Sequence, residues 1–334
     1  MARNIAVVGC GYWGKNLVRN FAELGALHTV CDVDSQMLES LESLHPQVNT
    51  ETNYARLLER REIEGVVIAT PAALHYSMAK EALLAGKDVF VEKPMALRVE
   101  KGKELVRLAE EKGRVLLVGH LLEYHPAVKK LKEFIDRGEL GKIQYIYSTR
   151  LNLGKFRTEE NILWSFAPHD ISVILLLLGG EMPYQISAHG GYYLHQHIAD
   201  VSLTTMSFRS GVRAHIFVSW LHPYKEQKLV VVGDRKMAEF NDTRPREKLL
   251  LFDYEIEWVE GRPVPHSKEP ELIEVAEDEP LRLECQDFVN CLKTRNTPKT
   301  NGYKGLQVLE VLSGCQKSLE KSGEVISLMK GKIE

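Results

Sequence analysis

The sequence predicts an α/β chain in two parts: an N-terminal parallel sheet wrapped by helices, then a C-terminal α+β part on an open, mainly antiparallel sheet. Three observations predict it. Short apolar runs alternate with segments of helical period up to about Leu122. A glycine-rich turn, Gly9–Gly14, stands where the first run passes into the first helical segment. Beyond Leu122 the rhythm changes to long strand-like runs. With 334 residues the chain is long for one core and sufficient for two, and we place the division at 1–121 and 122–334.

The elements follow in order. Ile5–Val8 is β-branched and reads as a strand, Tyr12–Leu24 as a helix, and Leu27–Cys31 as a strand. Ser35–Leu44 reads as a helix with Ser35 as its N-cap. Gly65–Ala69 is a buried strand by composition, and Leu74–Leu84 a helix ended by Gly86. Asp88–Val91, Val99–Glu111 and Val115–Val118 complete the strand–helix–strand alternation of a parallel sheet. Ala127–Arg137 is a helix closed by Gly138. Strands are then expected at Ile143–Leu151, Gln185–Tyr193, Ala199–Phe208, Arg213–Trp220, Lys228–Val232 and Met237–Phe240, with a turn at 211–212. Helices are expected at Pro168–Leu178, Leu281–Leu292 and Lys304–Leu319, and an exposed loop between Glu260 and Pro280.

Bulk properties exclude several classes. Apolar residues make up 44% and charged residues 27%, with a formal net charge of −3. No basic field draws such a chain to nucleic acid or to a membrane surface. The longest apolar run, Val173–Leu178, is far too short to span a bilayer. The opening residues read as a strand rather than a targeting signal. Five scattered cysteines without a CxxC pair suit reduced thiols, so we expect a cytoplasmic protein.

Gly9-Cys10-Gly11-Tyr12-Trp13-Gly14 is a GxGxxG. Such a turn is weak evidence alone, but this one follows a strand and opens a helix, and Asp32 ends the next strand 18 residues beyond Gly14. These are the parts of the Rossmann dinucleotide fingerprint. Gly9 allows the tight turn, Gly11 the approach of a pyrophosphate, and Gly14 close helix–strand packing. The helix N-terminus adds free N–H groups and partial positive charge. Asp32 selects NAD: its carboxylate accepts from ribose hydroxyls and repels a 2′-phosphate, and residues 33–37 hold no Arg or Lys.

Thr70-Pro71 ends the strand Gly65–Ala69 at the nicotinamide side of the expected crevice, and His75 follows as a cap, a packing residue or a cofactor neighbour. Glu92-Lys93-Pro94 follows the strand Asp88–Val91. A lysine there is either a surface group or a proton-transfer group whose ammonium is disfavoured beside a cationic nicotinamide.

In this order and spacing GCGYWG, Asp32, ATPxxxH and EKP resemble the Gfo/Idh/MocA family of sugar and cyclitol dehydrogenases. The resemblance runs the length of the chain, through AGKDVFVEKP, Gly138–Lys142 and 285–323. It implies a Rossmann domain followed by an open sheet whose uncovered face builds a homodimer or homotetramer. It implies NAD contacts from Gly9, Gly11, Tyr12, Trp13, Gly14, Asp32, Thr70, Pro71, His75, Glu92 and Lys93. It makes Lys93 catalytic and adds His169, which lies ten residues before Gly179. The family's usual aspartate one turn before that histidine is replaced by Ser165, and Asp170 is displaced by one residue on the helix.

The segment 150–165 carries the cations Arg150, Lys155 and Arg157 with Asn152, Phe156, Asn161, Trp164 and Ser165. It is either a solvated loop or a substrate loop for an anionic, partly aromatic ligand. Together with GCGYWGKN it resembles the family branch acting on UDP-N-acetylglucosaminuronic acid. The expected function is therefore oxidation of a sugar hydroxyl at C3 of a nucleotide sugar, with no metal. A free-sugar or cyclitol dehydrogenase, a keto-reductase and a non-catalytic NAD-bound regulator stand as alternatives. His195 and His197 share a strand face, but no further ligand completes a metal site.

Overall fold

The computed structural model describes residues 4–154 and 156–328. They form two compact units. The first opens with β1 (Ile5–Val8), α1 (Gly14–Glu23), β2 (Leu27–Cys31), α2 (Ser35–Leu44), β3 (Asn49–Glu51) and α3 (Tyr54–Glu59). It continues through β4 (Gly65–Ile68), α4 (Ala72–Leu84), β5 (Asp88–Glu92), α5 (Val99–Glu111) and β6 (Leu116–Gly119). The six strands are all parallel in the order β3-β2-β1-β4-β5-β6. The order reverses between β1 and β4, and the carboxyl ends of the strands there define the ligand crevice of a doubly wound sheet. β1, β4 and β5 are buried throughout, as their unbroken apolar runs require in a sheet covered on both faces. β3 and α3 escaped the sequence reading because both are short and polar. The cap of α2 is Asp34 rather than Ser35: its carboxylate accepts from Gln36 N and Met37 N.

After a 3-10 turn (Leu121–Tyr124), the second unit begins at His125. It holds α6 (Pro126–Asp136), β7 (Ile143–Leu151), α7 (Ile162–Leu177), β8 (Gln185–Gly191), β9 (Val201–Ser207) and β10 (Arg213–Ser219). β11 (Glu226–Gly233), β12 (Lys236–Asn241), β13 (Leu249–Val259), β14 (Arg262–Ser267) and β15 (Glu271–Leu272) follow. The sheet is antiparallel except for the central pair β7–β10. Ile146, Ser148 and Arg150 point to the buried side, where α7 packs. On the other side Tyr145, Tyr147, His215, Phe217 and Leu203 stand in register on an open face, with Tyr147 stacked on His215 at 5.3 Å.

Two expectations are corrected here. The helix expected from Pro168 starts at Ile162, because the Asn161 side chain caps Trp164 N and Pro168 lies inside the helix. The loop expected over 260–280 opens with β14, which pairs with β13 to form a projecting ribbon. Along one face of the ribbon run Tyr254, Ile256 and Trp258, with Pro265 opposite Ile256 and Pro263 opposite Trp258. Trp258 is 69% exposed.

The chain then returns to the first unit with α8 (Pro280–Thr294) and the opening turns of α9 (Gly302–Glu320). β16 (Ile326–Ser327) is an edge strand beside β8. The return adds residues 278–309 to the unit that begins the chain. The apolar side of α8 (Leu281, Cys285, Phe288, Val289, Leu292) belongs to the first unit's core, where Phe288 meets Phe90 and Phe21 edge-on at 5.8 and 6.4 Å. No helix among the described residues is long and apolar enough to cross a membrane.

Candidate active site

In the first unit the glycine turn has little steric freedom. Gly9 takes φ +86°, and a Cβ on Gly14 would lie 1.8 Å from the Gly9 carbonyl oxygen. A Cβ on Gly11 meets nothing within 4 Å, so that backbone borders open space at the start of α1. Tyr12 is 89% exposed beside it. The Asp32 carboxylate accepts from Cys10 N at 2.6 Å and from Asp34 N at 3.0 Å, which fixes it against the turn. A carboxylate has about four acceptor positions, so about two remain for a ribose diol. Open backbone at Gly11, the N-terminal end of α1 and this half-occupied carboxylate fit a dinucleotide.

The other expected cofactor residues divide. Thr70 and Pro71 follow β4 at its carboxyl end, on the crevice side. His75 is buried, with Nδ1 2.8 Å from the Pro94 carbonyl and Nε2 2.8 Å from the Thr70 carbonyl. It ties the end of β4 to the Lys93-Pro94 segment. Glu92 is tied down in the same way. It is 7% exposed, accepts from the Trp13 indole at 2.5 Å and from Lys93 N at 3.2 Å, and lies across Gly119, where a Cβ would come within 2.8 Å of Oε2. Trp13 and Glu92 therefore join the glycine turn to the base of Lys93 and leave few free edges for a ligand. Lys93 itself is half-buried at the end of β5.

Around this point lie ionisable groups that the sequence reading missed. His120, just past β6, is 2% exposed, and among the described residues neither ring nitrogen has a hydrogen-bond partner. Burial, then the Lys93 and Lys304 ammoniums, push it down to about 3. Glu123 is buried, and Lys304 Nζ holds it at 3.2 Å. Glu284 of α8 is wholly buried. No motif marks these residues; only the return of α8 under the sheet brings Glu284 into the unit.

The second unit holds the expected substrate residues, and the structure redistributes them. Arg150 is buried and donates to Asp170 twice, from Nε at 2.9 Å and Nη2 at 3.2 Å, while Ser148 Oγ donates to the same carboxylate at 2.6 Å. The free cation expected at Arg150 is thus corrected to one half of a core ion pair, and Asp170 is turned to the sheet. Asn161 and Trp164 are held within the unit: Asn161 Nδ2 and Trp164 Nε1 both donate to Gln316 Oε1 at 2.9 Å. Lys155 lies outside the described residues. Arg157 is half-exposed and pairs with Glu160 at 2.9 Å. Phe156 is exposed and meets Trp220 edge-on at 6.4 Å, and Asn152 is half-buried after β7. Ser165 is buried one turn before the partly buried His169 on α7. His195 and His197 sit in the loop after β8, with rings 6.0 Å apart.

Comparison with known proteins agrees with this architecture. Residues 3–120 match the family model described as an oxidoreductase family with an NAD-binding Rossmann fold, and residues 128–239 match the GFO/IDH/MocA C-terminal domain. The chain is 25% identical to UDP-N-acetylglucosamine 3-dehydrogenase of Acidithiobacillus ferrooxidans over 91% of this chain and 93% of that one. It is 26% identical to scyllo-inositol 2-dehydrogenase (NAD(+)) of Bacillus subtilis over 76% and 75%. In fold it is similar to the WlbA dehydrogenase of Bordetella pertussis, solved with NADH and UDP-GlcNAcA, at a TM-score of 0.80 and 22% identity, covering 98% and 99% of the two chains.

Proposed function

The chain belongs to the Gfo/Idh/MocA oxidoreductase family and carries its NAD-binding domain, and from that premise we propose that it oxidises a nucleotide-linked sugar acid, with C3 of UDP-N-acetylglucosaminuronic acid as the named candidate. The observation that carries the nucleotide-sugar reading is the match to a UDP-N-acetylglucosamine 3-dehydrogenase over more than nine-tenths of both chains; the choice of the uronic acid rests on the resemblance of the segment 150–165 to the branch acting on it. Arg157 and Phe156 add support as an exposed cation and ring next to each other, a pairing suited to phosphate and a flat base.

NAD supplies the hydride acceptor. The residues of this chain then have separate tasks. Gly11 and the first amides of α1 bind the pyrophosphate. The free acceptor positions of Asp32 receive the ribose hydroxyls and repel a 2′-phosphate. Lys93 takes the proton of the substrate hydroxyl, and His169 is the second acid–base group. Ser165 donates or accepts a hydrogen bond where the family usually has a carboxylate. The open sheet face packs against a second copy in a homodimer or homotetramer.

The inositol dehydrogenase relative supports a second reading, a free cyclitol or sugar dehydrogenase. A substrate screen separates the two. NADH absorbance is followed with UDP-N-acetylglucosaminuronic acid, UDP-N-acetylglucosamine, glucose and inositol. The first proposal requires reduction with the UDP-sugar acid. Turnover of inositol or glucose with no response to any UDP-sugar replaces it with the second.

A further inference from the structure

We propose that Glu284 is a positioning residue for Lys93: it stores the proton of a buried carboxyl pair whose other member, Glu92, stays ionised between the Trp13 indole and the Lys93 main chain. The direction of α8 sets which of its residues meets the strand ends. Its C-terminal residues Phe288 and Leu292 lie against Gly65, the first residue of β4, and Arg295 just beyond it pairs with Asp88, the first residue of β5, at 2.6 and 3.0 Å. The helix therefore runs antiparallel to the strands, and its N-terminal half lies toward their carboxyl ends. Phe288 packs on Phe90. One helical turn back from Phe288 is Glu284, and two strand residues on from Phe90, on the same face, is Glu92. A turn of about 5.4 Å and two strand residues of about 6.6 Å nearly coincide, so the packing of Phe288 on Phe90 aims Glu284 at Glu92.

The two carboxyls are not equivalent. Glu92 accepts two N–H bonds, which favour its charged form. Glu284 is 0% exposed, and among the described residues neither of its oxygens has a partner in good hydrogen-bond geometry. The main-chain N–H of His120, a donor that bears on it, is committed to the Val118 carbonyl. An ionised carboxylate without donors in a dry core is prohibitive, and two such charges side by side are more so. Burial raises both acids, Glu284 well above its usual range and with Glu92 as the largest neighbouring charge. The groups around the pair are Lys93 after β5, His120 after β6, Glu123 and Tyr124 from the 3-10 turn, Cys285 and Asp287 from α8, Lys299 before α9 and Lys304 in its first turn. Lys304 and Lys299 are already bonded at Glu123, to its carboxylate and its carbonyl. The single proton of the pair thus resides on Glu284, and the single charge resides on Glu92, where it holds the turn and opposes the Lys93 ammonium.

Infrared spectroscopy of the full chain decides where the proton sits. Wild type at neutral pH shows the stretching band of a buried carboxylic acid. Glu92→Gln keeps that band and Glu284→Gln removes it. No band in wild type, or a band that survives Glu284→Gln, overturns the proposal. Should Glu284→Gln fail to fold, Glu92→Gln still decides: its band at neutral pH must persist, and loss of the band in that variant overturns the proposal. These arms need no substrate, so they stand or fall apart from the sugar dehydrogenase reading. The effect on Lys93 rests on that reading and uses the acid limb of the pH–rate profile. Glu92→Gln removes the counter-charge and moves the limb to lower pH by about one unit, while Glu284→Gln leaves it in place. The reverse pattern assigns the charge to Glu284 and overturns the inference.

Discussion

The indole Nε1–H of Trp13 donates to Glu92 Oε1 at 2.5 Å and so joins the glycine turn to the strand end that carries Lys93. Trp13→Phe keeps the ring and deletes the donor, leaving a buried carboxylate half-satisfied. Such a loss costs about 1–3 kcal/mol. We expect a lower melting temperature and weaker NAD binding together. The double variant Trp13→Phe/Glu92→Gln should lose less than the sum of the single losses. Calorimetric melting and NAD titration of the four proteins test this, and additive losses would show that the two residues act separately.

Lys93 is half-buried at the end of β5, and its side chain is expected to matter for chemistry rather than folding. Lys93→Met should reduce kcat by about 10²–10⁴-fold. NAD binding and thermal stability should stay close to wild type. A near-normal kcat would reduce Lys93 to a bystander.

Arg150 and Arg157 lie in the same segment yet predict opposite phenotypes. Arg150→Ala strands the Asp170 carboxylate in the core, which costs about 3–5 kcal/mol. Arg150→Met with Asp170→Leu should recover much of that loss. Arg157→Ala should leave stability unchanged and raise KM for the nucleotide sugar more than it lowers kcat. Urea unfolding and steady-state kinetics on the same preparations check both. A stable Arg150→Ala protein with a raised KM would return Arg150 to the substrate.

His120 links the fold to pH. Its folded value is pushed from 6.5 down to about 3, first by burial and then by Lys93 and Lys304. Below pH 6.5 the unfolded chain therefore binds a proton that the folded chain refuses. This contribution is complete above pH 6.5 and is lost as pH falls toward about 3, at about 1.4 kcal/mol per pH unit. Wild type should lose about 2 kcal/mol more than His120→Asn between pH 6.5 and 5 in urea unfolding. Identical pH dependence of the two proteins would contradict a neutral buried imidazole.

The open face of the second sheet predicts self-association. Tyr145, Tyr147, Phe217 and Leu203 stand together on one side of the strands, and a face of that kind is costly to leave in water. Light scattering at micromolar concentration should report a dimer or tetramer. Leu203→Glu should shift it toward monomer. A monomeric wild type would end this proposal.

Much of the first unit was legible because its signals are local. An apolar run, a glycine turn and a strand-end Asp32 each declare themselves within a few residues. The same reading failed where function depends on a partner far along the chain. Arg150 looks like a free cation until Asp170 is placed beneath it, and Trp164 like a ligand ring until Gln316 meets its indole. Pro168 misled because a proline more often opens a helix than sits inside one. Glu284 carries no motif at all. Its importance comes from a helix that returns after the whole second unit, and no window of sequence contains both ends of that relationship.

The prolines of the projecting ribbon bear on how this protein survives at high concentration. β14 is the last strand of its sheet, and a bare last strand invites another chain to zip onto it and so seed a fibril. Pro263 and Pro265 have no N–H to offer along that border. A newcomer finds too few donors to continue the ladder there. The ribbon can carry Ile256 and Trp258 into water with less risk of amyloid growth from its edge, and replacing both prolines with valine would be a direct route to an aggregating variant.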